Sequence, residues 1–554
     1  MSQNLHPLAG QKVPSAMIMN TRQVCDAYVD VRPELTDPEQ RVSFGTSGHR
    51  GRAREGSFNE QHVLAISQAV CDYRVTSGID GPLFLAMDTH ALSGPAHDTA
   101  LQVLAANGVT VMLAASGEFT PTPALSHAIL GYNRERREHL ADGIVITPSH
   151  NPPDEGGYKY NPTNGGPADS DVTDWIEARA NQLLDDGLKG VRSIGLKEAR
   201  QAATTRVYDY LNTYVDDLAD MIAFDVIAAA GLRVAVDPLG GAGVNYWSAI
   251  EDRYRIGLKV LSDQVDPAFS FMSLDSDGKI RMDPSSAYAM KGLIDLKNQY
   301  DVAFACDTDH DRHGIVTGSG GLMDANQYLV ALIHYLFTHR PEWATSVAIG
   351  KTLVSTAVID KVAALVGRGV YEVPVGFKWF AEGLFNGQLG FAGEESAGAS
   401  FLRKNGKVWT TDKDGLVPGL LAAEMTARIG RDPAQQYLDL LSSVGLDAPP
   451  VATRVSAPVD LIQRQRLKEL SARQVTATDL AGESIDQILT HAPGNQAAIG
   501  GIKVTTRGGW FAARPSGTEA IYKIYAESFK DQRHLDQIVE QAQGLVASAL
   551  ASGE

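Results

Sequence analysis

Cysteine is almost absent: Cys25, Cys71 and Cys306 stand far apart in a chain of 554 residues. Their spacing forms no metal-ligand pattern and no disulfide framework, which excludes a cysteine-bound zinc and a cystine-stapled scaffold. No apolar run approaches the roughly 20 residues of a membrane-crossing helix. The densest, YLVALIHYLF from Tyr328 to Phe337, is too short and carries His334. The opening MSQNLHPLAGQKVPSAMIMN lacks the apolar centre of a secretory leader, so a soluble, cytoplasmic protein with no membrane partner is expected. No basic run is present, and the formal net charge is −17, so nucleic acid is not an expected partner. A Walker lysine loop is missing too, and no nucleotide donor is indicated.

What remains is ordinary globular composition, 44% hydrophobic and 21% charged, in a chain long enough for about three to five domains. Short apolar runs alternate with helical patterns, which predicts α/β layers with largely parallel sheets. Three segments open alike: LFLAMDTHALS (Leu83 to Ser93), VAVDPLGGAG (Val234 to Gly243) and VAIGKTLVSTA (Val347 to Ala357). Three related α/β domains fit this repetition. After Pro449-Pro450, alternating strands and glycine turns predict an antiparallel sheet packed on helices. The expected division is 1–205, 206–322, 323–445 and a smaller α+β domain at 446–554.

Chemistry concentrates in a few loops. AFACDTDHDRHG, from Ala303 to Gly314, is an apolar run ending in Asp307, Asp309 and Asp311. In an extended segment, alternate residues share one side. Three crowded anions repel, so a positive partner is required, and all-oxygen ligands suit a hard cation such as Mg²⁺. A calcium EF-hand does not fit, because Arg312 and Gly318 stand where that loop needs glycine and glutamate; a solvated acidic turn is the alternative. In GIVITPSHNPPDEGGYK, a strand ends at Thr147, and Pro148, Pro152 and Pro153 stiffen the chain around Ser149. A plain proline-rich turn has the same composition. FAARPSGTEAIYKIY offers Arg514, able to fork onto a phosphate, followed by Ser516, Gly517 and Thr518. FGTSGHRG brings a second glycine-hydroxyl loop with Arg50, and FAGEESAGAS ends an apolar run in Glu394 and Ser396. A rigid serine, a metal site, a phosphate clamp and a hydroxyl clamp together predict phosphoryl transfer between Ser149 and a phosphosugar.

TPSHNPP, DTDHDR, GEES and RPSGT resemble, in order, the four active-site loops of the α-D-phosphohexomutase family, and the likeness spans nearly the whole chain. The resemblance implies three similar mixed-sheet α/β domains and a C-terminal α+β domain around a central cleft, in a monomer or homodimer. It implies interconversion of glucose 1-phosphate and glucose 6-phosphate, with Mg²⁺, a phosphoserine and glucose 1,6-bisphosphate. By position, Ser149 carries the phosphate and contributes an oxygen to the metal held by Asp307, Asp309 and Asp311. Arg312 faces the transferring phosphate, His150 and Arg50 assist, and Lys159 and Lys413 move protons. Thr46 falls in the Arg50 loop, and Val375 and Gly376 fall in the loop that reads sugar orientation. Glu394 and Ser396 take sugar hydroxyls, and Arg514, Ser516, Gly517, Thr518 and Lys523 take the substrate's own phosphate. Departures from the family pattern are Pro148 for alanine, Thr308 and His310 for glycines, His90 for arginine and Val375 for threonine. Gly398 stands where the mannose and glucosamine branches have histidine, which shifts one proton-carrying role to Lys413 and favours glucose. Mannose or pentose phosphates, or a phosphosugar-binding protein without catalysis, are the alternatives.

Overall fold

The computed structural model describes residues 5–45, 48–115, 117–475, 477–515 and 521–551. Seven strands build the first sheet: β1 (Phe44–Gly45), β2 (Gly48–Arg52), β3 (Leu83–Met87), β4 (Val111–Leu113), β5 (Asp142–Ile146), β6 (Glu155–Asn161) and β7 (Thr205–Val207). Their order is β1-β2-β6-β5-β3-β4-β7. β5, β3, β4 and β7 are parallel, and β6, β2 and β1 extend the sheet antiparallel. Along β5, Ile144 and Ile146 enter one core while Val145 enters another on the opposite face. Burial on both faces is why the run is apolar without alternation.

The second sheet holds β8 (Val234–Asp237), β9 (Leu258–Val260), β10 (Val302–Cys306), β11 (His313–Thr317) and β12 (Gly321–Leu322), ordered β12-β11-β10-β8-β9. The third holds β13 (Ala348–Thr352), β14 (Val370–Val373), β15 (Leu389–Glu394) and β16 (Gly398–Phe401), ordered β14-β13-β15-β16. One plan repeats in all three. A central strand (β3, β8 or β13) pairs parallel with a second (β5, β10 or β15), which turns into an antiparallel partner (β6, β11 or β16). The three repeated sequence segments are these central strands. The turns at the ends of β5, β10 and β15 therefore occupy equivalent places, and they carry Ser149, the aspartate triplet and the Glu394 loop.

The last domain holds β17 (Val451–Pro458), a short pair β18 (Asp479–Leu480) and β19 (Glu483–Ser484), then β20 (Gln487–His491), β21 (Ala498–Thr505), β22 (Gly509–Pro515) and β23 (Ile521–Ser528). The main sheet, β17-β23-β22-β21-β20, is antiparallel throughout, as expected. Helix Gln532–Ala551 lays Leu535, Ile538, Ala542 and Val546 on Val504, Phe511 and Ile524, a spacing of three or four residues that keeps one face apolar. Glu527 on β23 docks this domain on the third, accepting hydrogen bonds from Thr356 Oγ1 at 2.5 Å and the Ala357 N–H at 2.9 Å. The second and third domains share one core, in which Trp247 and Phe304 join Leu416 and Leu420. No helix among the described residues is long and apolar enough to cross a membrane.

One local expectation is corrected. Asp307, Asp309 and Asp311 do not share the side of an extended strand, because β10 stops at Cys306 and the triplet lies in the turn before β11. Asp307 Oδ1 closes that turn by accepting the N–H groups of Asp311 and Arg312, both at 3.0 Å. His310 takes the left-handed position at φ 58°, and Trp247 Nε1 donates to its Nε2 at 3.1 Å.

Candidate active site

Ser149 sits on a tight turn after β5 with φ 59°, a conformation that costs a residue with a side chain about 1–2 kcal/mol. Its N–H donates to Thr147 Oγ1 at 2.8 Å, and its Oγ donates to Asp307 Oδ2 at 2.6 Å. Domain I thus meets domain II through the serine itself. His150 Nδ1 lies 3.5 Å from the same Oγ. Burial, with Arg312 and Arg50 nearby, lowers the His150 imidazole to about 3, so the ring is neutral near Ser149.

The aspartates are fully buried, and one oxygen from each lies within 4.8 Å of the others. Lys159, on β6, donates to Asp309 at 2.7 Å and Asp311 at 3.2 Å, and Lys413 reaches Asp311 at 3.0 Å. Burial resists ionisation of Asp311, but Lys159, Lys413 and Arg312 outweigh it and hold the carboxyl well below its usual range. Asp307 has no such lysine. Burial, then Asp309 and Asp311, push it well above. Asp309 Oδ1 and Asp311 Oδ1 are buried and accept no hydrogen bond in the protein. Buried polar atoms are almost always satisfied, so two free carboxylate oxygens beside a third acid fit a hard divalent cation.

Two arginines face this cluster. Arg50, on β2, and Arg312 are half-buried; their buried Nε atoms have no hydrogen-bond partner among the described residues, that of Arg312 lying 3.7 Å from Asp311 Oδ1, and the two charges repel each other. A pair of unsatisfied guanidinium donors beside a carboxylate cluster can take an anion such as phosphate.

Glu394 ends β15. Its carboxylate accepts from the Gly376 N–H at 3.2 Å and lies 3.5 Å from Ser396 Oγ. Val375 packs beside Leu353 and Trp510 of the last domain. Burial raises Glu394 to about 7, with Lys413 opposing. The folded protein therefore keeps a proton that the unfolded chain releases near 4.5. Glu394's own contribution to stability must fall as pH rises from about 4.5 to about 7 and level off above, by on the order of 3 kcal/mol, while buried histidines held low, such as His150, contribute in the opposite sense. Denaturant unfolding of wild type and Glu394→Gln across that range checks this; the variant should lack that contribution.

A glycine explains how Lys413 reaches the aspartates. A Cβ at Gly398 would sit 2.2 Å from Lys413 Cδ, so no larger residue fits at 398 while the lysine keeps this path.

Arg514 on β22 and Lys523 on β23 are cross-strand partners. Burial raises the hydroxyl of Tyr525, Glu395 adds to the rise and Arg514 opposes it, which puts this hairpin against the Glu394 loop. Thr46, Ser516, Gly517 and Thr518 lie outside the described residues. The other candidates form one connected cluster from domains I, II and III, with Arg514 and Lys523 on the adjoining hairpin.

Several residues escaped sequence reasoning. Thr122, first in helix Thr122–Asn133, donates through Oγ1 to Asp309 Oδ2 at 2.6 Å and through its N–H to the Asp309 carbonyl at 2.9 Å. Its only signal is the rigid TPTP setting. Asp283 faces His150 and Arg312, which hold its carboxyl low against burial, and nothing in RMDPSS announces it. Asp88 and His90, behind the Ser149 turn, are the third case.

Three like α/β modules that gather a serine, three buried carboxylates and two arginines, with one antiparallel module beside them, define a four-domain α/β enzyme whose site suits a metal and an anion. The chain belongs to the phosphoglucomutase/phosphomannomutase family, matching its alpha/beta/alpha domains I, II and III over residues 41–185, 212–320 and 324–444, and its C-terminal domain over 465–544. It is 54% identical over 548 residues to a phosphoglucomutase of Komagataeibacter xylinus, covering 99% of this chain and 98% of that one. Among solved structures, a phosphoglucomutase/phosphomannomutase family protein of Burkholderia thailandensis superposes with a TM-score of 0.69 at 20% identity, covering 92% and 98% of the two chains. Parafusin from Paramecium, in an open form, gives 0.69 at 19% identity, covering 94% and 96%. These two likenesses concern the fold.

Proposed function

We propose that this protein interconverts α-D-glucose 1-phosphate and glucose 6-phosphate through a phosphorylated Ser149 and glucose 1,6-bisphosphate. The observation that carries the reading is Ser149 Oγ, 2.6 Å from Asp307 within the buried carboxylate cluster. The nearly full-length relative of that activity supports it. The domain division at about 205, 322 and 445 belongs to the same reading, supported by the separate sheets, as does a cytoplasmic location.

The chemistry needs a phosphoryl group to leave Ser149 for one sugar oxygen and to return from another. In the first half, the sugar O6 bonds to phosphorus, the Ser149 Oγ–P bond breaks, O6 loses a proton and Oγ gains one. The bisphosphate then turns over, and its O1 phosphoryl returns to Ser149 by the reverse exchange. Asp307, Asp309, Asp311 and a Ser149 phosphate oxygen would hold Mg²⁺, which neutralises charge developing on the transferring group. Arg50 and Arg312 bind the equatorial phosphate oxygens. Lys159 and Lys413 carry the protons, and the neutral His150 stays close to Oγ. Glu394 and Ser396 hold sugar hydroxyls, with Gly376 and Val375 shaping that side. Arg514 and Lys523, with Ser516, Gly517 and Thr518, grip the phosphate that is not reacting.

The test is turnover of glucose 1-phosphate by purified protein with Mg²⁺ and catalytic glucose 1,6-bisphosphate, alongside mannose 1-phosphate. A higher kcat/KM for mannose would overturn the sugar assignment, and no turnover of either would overturn the activity. Truncating Arg514 removes a charge-assisted phosphate contact worth roughly 1.5–3 kcal/mol. Arg514→Ala is therefore expected to raise KM for glucose 1-phosphate by about one to two decades and leave Mg²⁺ affinity unchanged. Steady-state kinetics and Mg²⁺ titration measure both; an unchanged KM places the phosphate grip elsewhere.

A further inference from the structure

Both ends of the turn that carries Ser149 are tied to the neighbouring strand. β3 and β5 end level, with Met87 opposite Ile146, so Asp88 and Thr147 leave the sheet side by side. Asp88 is fully buried, and its two oxygens receive four donors. Ser93 Oγ at 2.5 Å and the His90 N–H at 3.0 Å meet Oδ1, while Thr147 Oγ1 at 2.6 Å and His90 Nδ1 at 2.9 Å meet Oδ2. Four donors fill a carboxylate's accepting capacity, so both Asp88 oxygens act as acceptors here.

Thr147 relays this hold forward. Its Oγ1 gives its proton to Asp88 and accepts the Ser149 N–H at 2.8 Å. Beyond the serine, His90 Nε2 lies 3.0 Å from the Asn151 carbonyl oxygen. A carbonyl can only accept, and so can an ionised carboxylate. Both ring nitrogens of His90 must then carry protons, which makes the side chain a buried imidazolium. Asp88 is the anion in contact with it, Glu155 is a further negative charge nearby, and Phe269 from domain II packs on the ring with centroids 5.0 Å apart. Burial is the largest influence and opposes this charge, but Asp88, the Asn151 carbonyl and Glu155 together outweigh it and hold the imidazole above its ordinary value.

We propose that Asp88 and His90 form a buried ionic clamp that, through Thr147 and Asn151, holds the 147–151 turn in the shape that presents Ser149 Oγ to its substrate. They are positioning residues and touch no reacting atom. The clamp explains how a serine stays left-handed at φ 59°. Pro148 has no N–H to help, so the Ser149 N–H depends on Thr147 Oγ1, and Thr147 on Asp88. The functional part of this inference rests on Ser149 being the phosphoryl carrier.

Ring-proton spectra of the wild type and the kinetics of three variants test it. In ¹⁵N spectra of histidine-labelled wild type at neutral pH, His90 should show protons on both ring nitrogens. Thr147→Val keeps the shape of the side chain and removes both hydrogen bonds. It should lower kcat about ten- to a hundredfold, as small misplacements of reacting groups do, with KM changed less than about threefold. Thr147→Ser, which keeps the hydroxyl, should recover most of that loss. His90→Gln can reach only one of the two partners and should fall between. A single protonated ring nitrogen on His90, or an unchanged kcat in Thr147→Val, would overturn the clamp. Failure of the proposed activity itself would appear in the wild type instead, where the ring protons are read independently of turnover.

Discussion

Ser149→Ala is expected to fold like the wild type and to turn over at least about a thousandfold more slowly. Folding should survive because the backbone hold on residue 149, from its N–H to Thr147 Oγ1, does not involve the side chain lost. Turnover should not survive, because no neighbouring hydroxyl among the described residues can take over. Thr147 Oγ1 is committed to Asp88, and Ser396 lies beside Glu394 on another domain. Intact-mass measurement should find one phosphate on active wild type and none on the variant. Near-normal turnover by the folded variant would remove the covalent route.

Removal of one metal-facing carboxylate should be nearly as damaging, and for a reason visible only in three dimensions. From the sequence, three adjacent acids repel, and dropping one charge ought to relieve the metal-free chain. In the folded protein, Lys159 and Lys413 already balance them. Asp309→Asn leaves the buried Lys159 with Asp311 alone, so the metal-free protein should lose roughly 1–3 kcal/mol of stability. Even an outer partner of a metal ligand is worth about 10–100-fold in affinity or activity, and a ligand should exceed that. Calorimetric Mg²⁺ titration and Mg²⁺-dependent kinetics give the two numbers. Chelation should abolish wild-type activity and added Mg²⁺ restore it; full activity in chelator would show that the buried triplet holds no metal the reaction needs.

Much of the architecture was legible because the same physics wrote it three times. The segments at Leu83, Val234 and Val347 read alike since each is a parallel strand buried between layers, followed by a polar corner. The site was legible where chemistry demands unusual neighbours: three aspartates in five residues and a serine between prolines, which the fold brings together. It was illegible where ordinary residues gain meaning from distant ones. Thr122 meets Asp309 across 187 positions and Ser149 meets Asp307 across 158, and no local pattern encodes such pairs. Asp88 reads as a strand-ending acid, and its four donors come from three residues, His90 and Ser93 just beyond it and Thr147 on the next strand's end. The triplet was found for the wrong geometric reason, since a turn closed by Asp307 gathers the acids, not strand alternation.

The contact between Ser149 and Asp307 also has a bearing on how the molecule matures. Large proteins fold domain by domain, and pairings distant in sequence form late. While domain I is alone on a growing chain, its serine has neither Asp307 nor Arg312 beside it, and Lys159 lacks both of its aspartates. Lys413, about a hundred residues beyond the triplet, arrives later still. The modification chemistry proposed for Ser149 is thus withheld from every partly assembled form. In a purified preparation, every molecule bearing phosphate on Ser149 is then one whose first three domains have locked together, and molecules that stay unphosphorylated after incubation with glucose 1,6-bisphosphate would expose a misassembled population that a far-ultraviolet spectrum would pass as native.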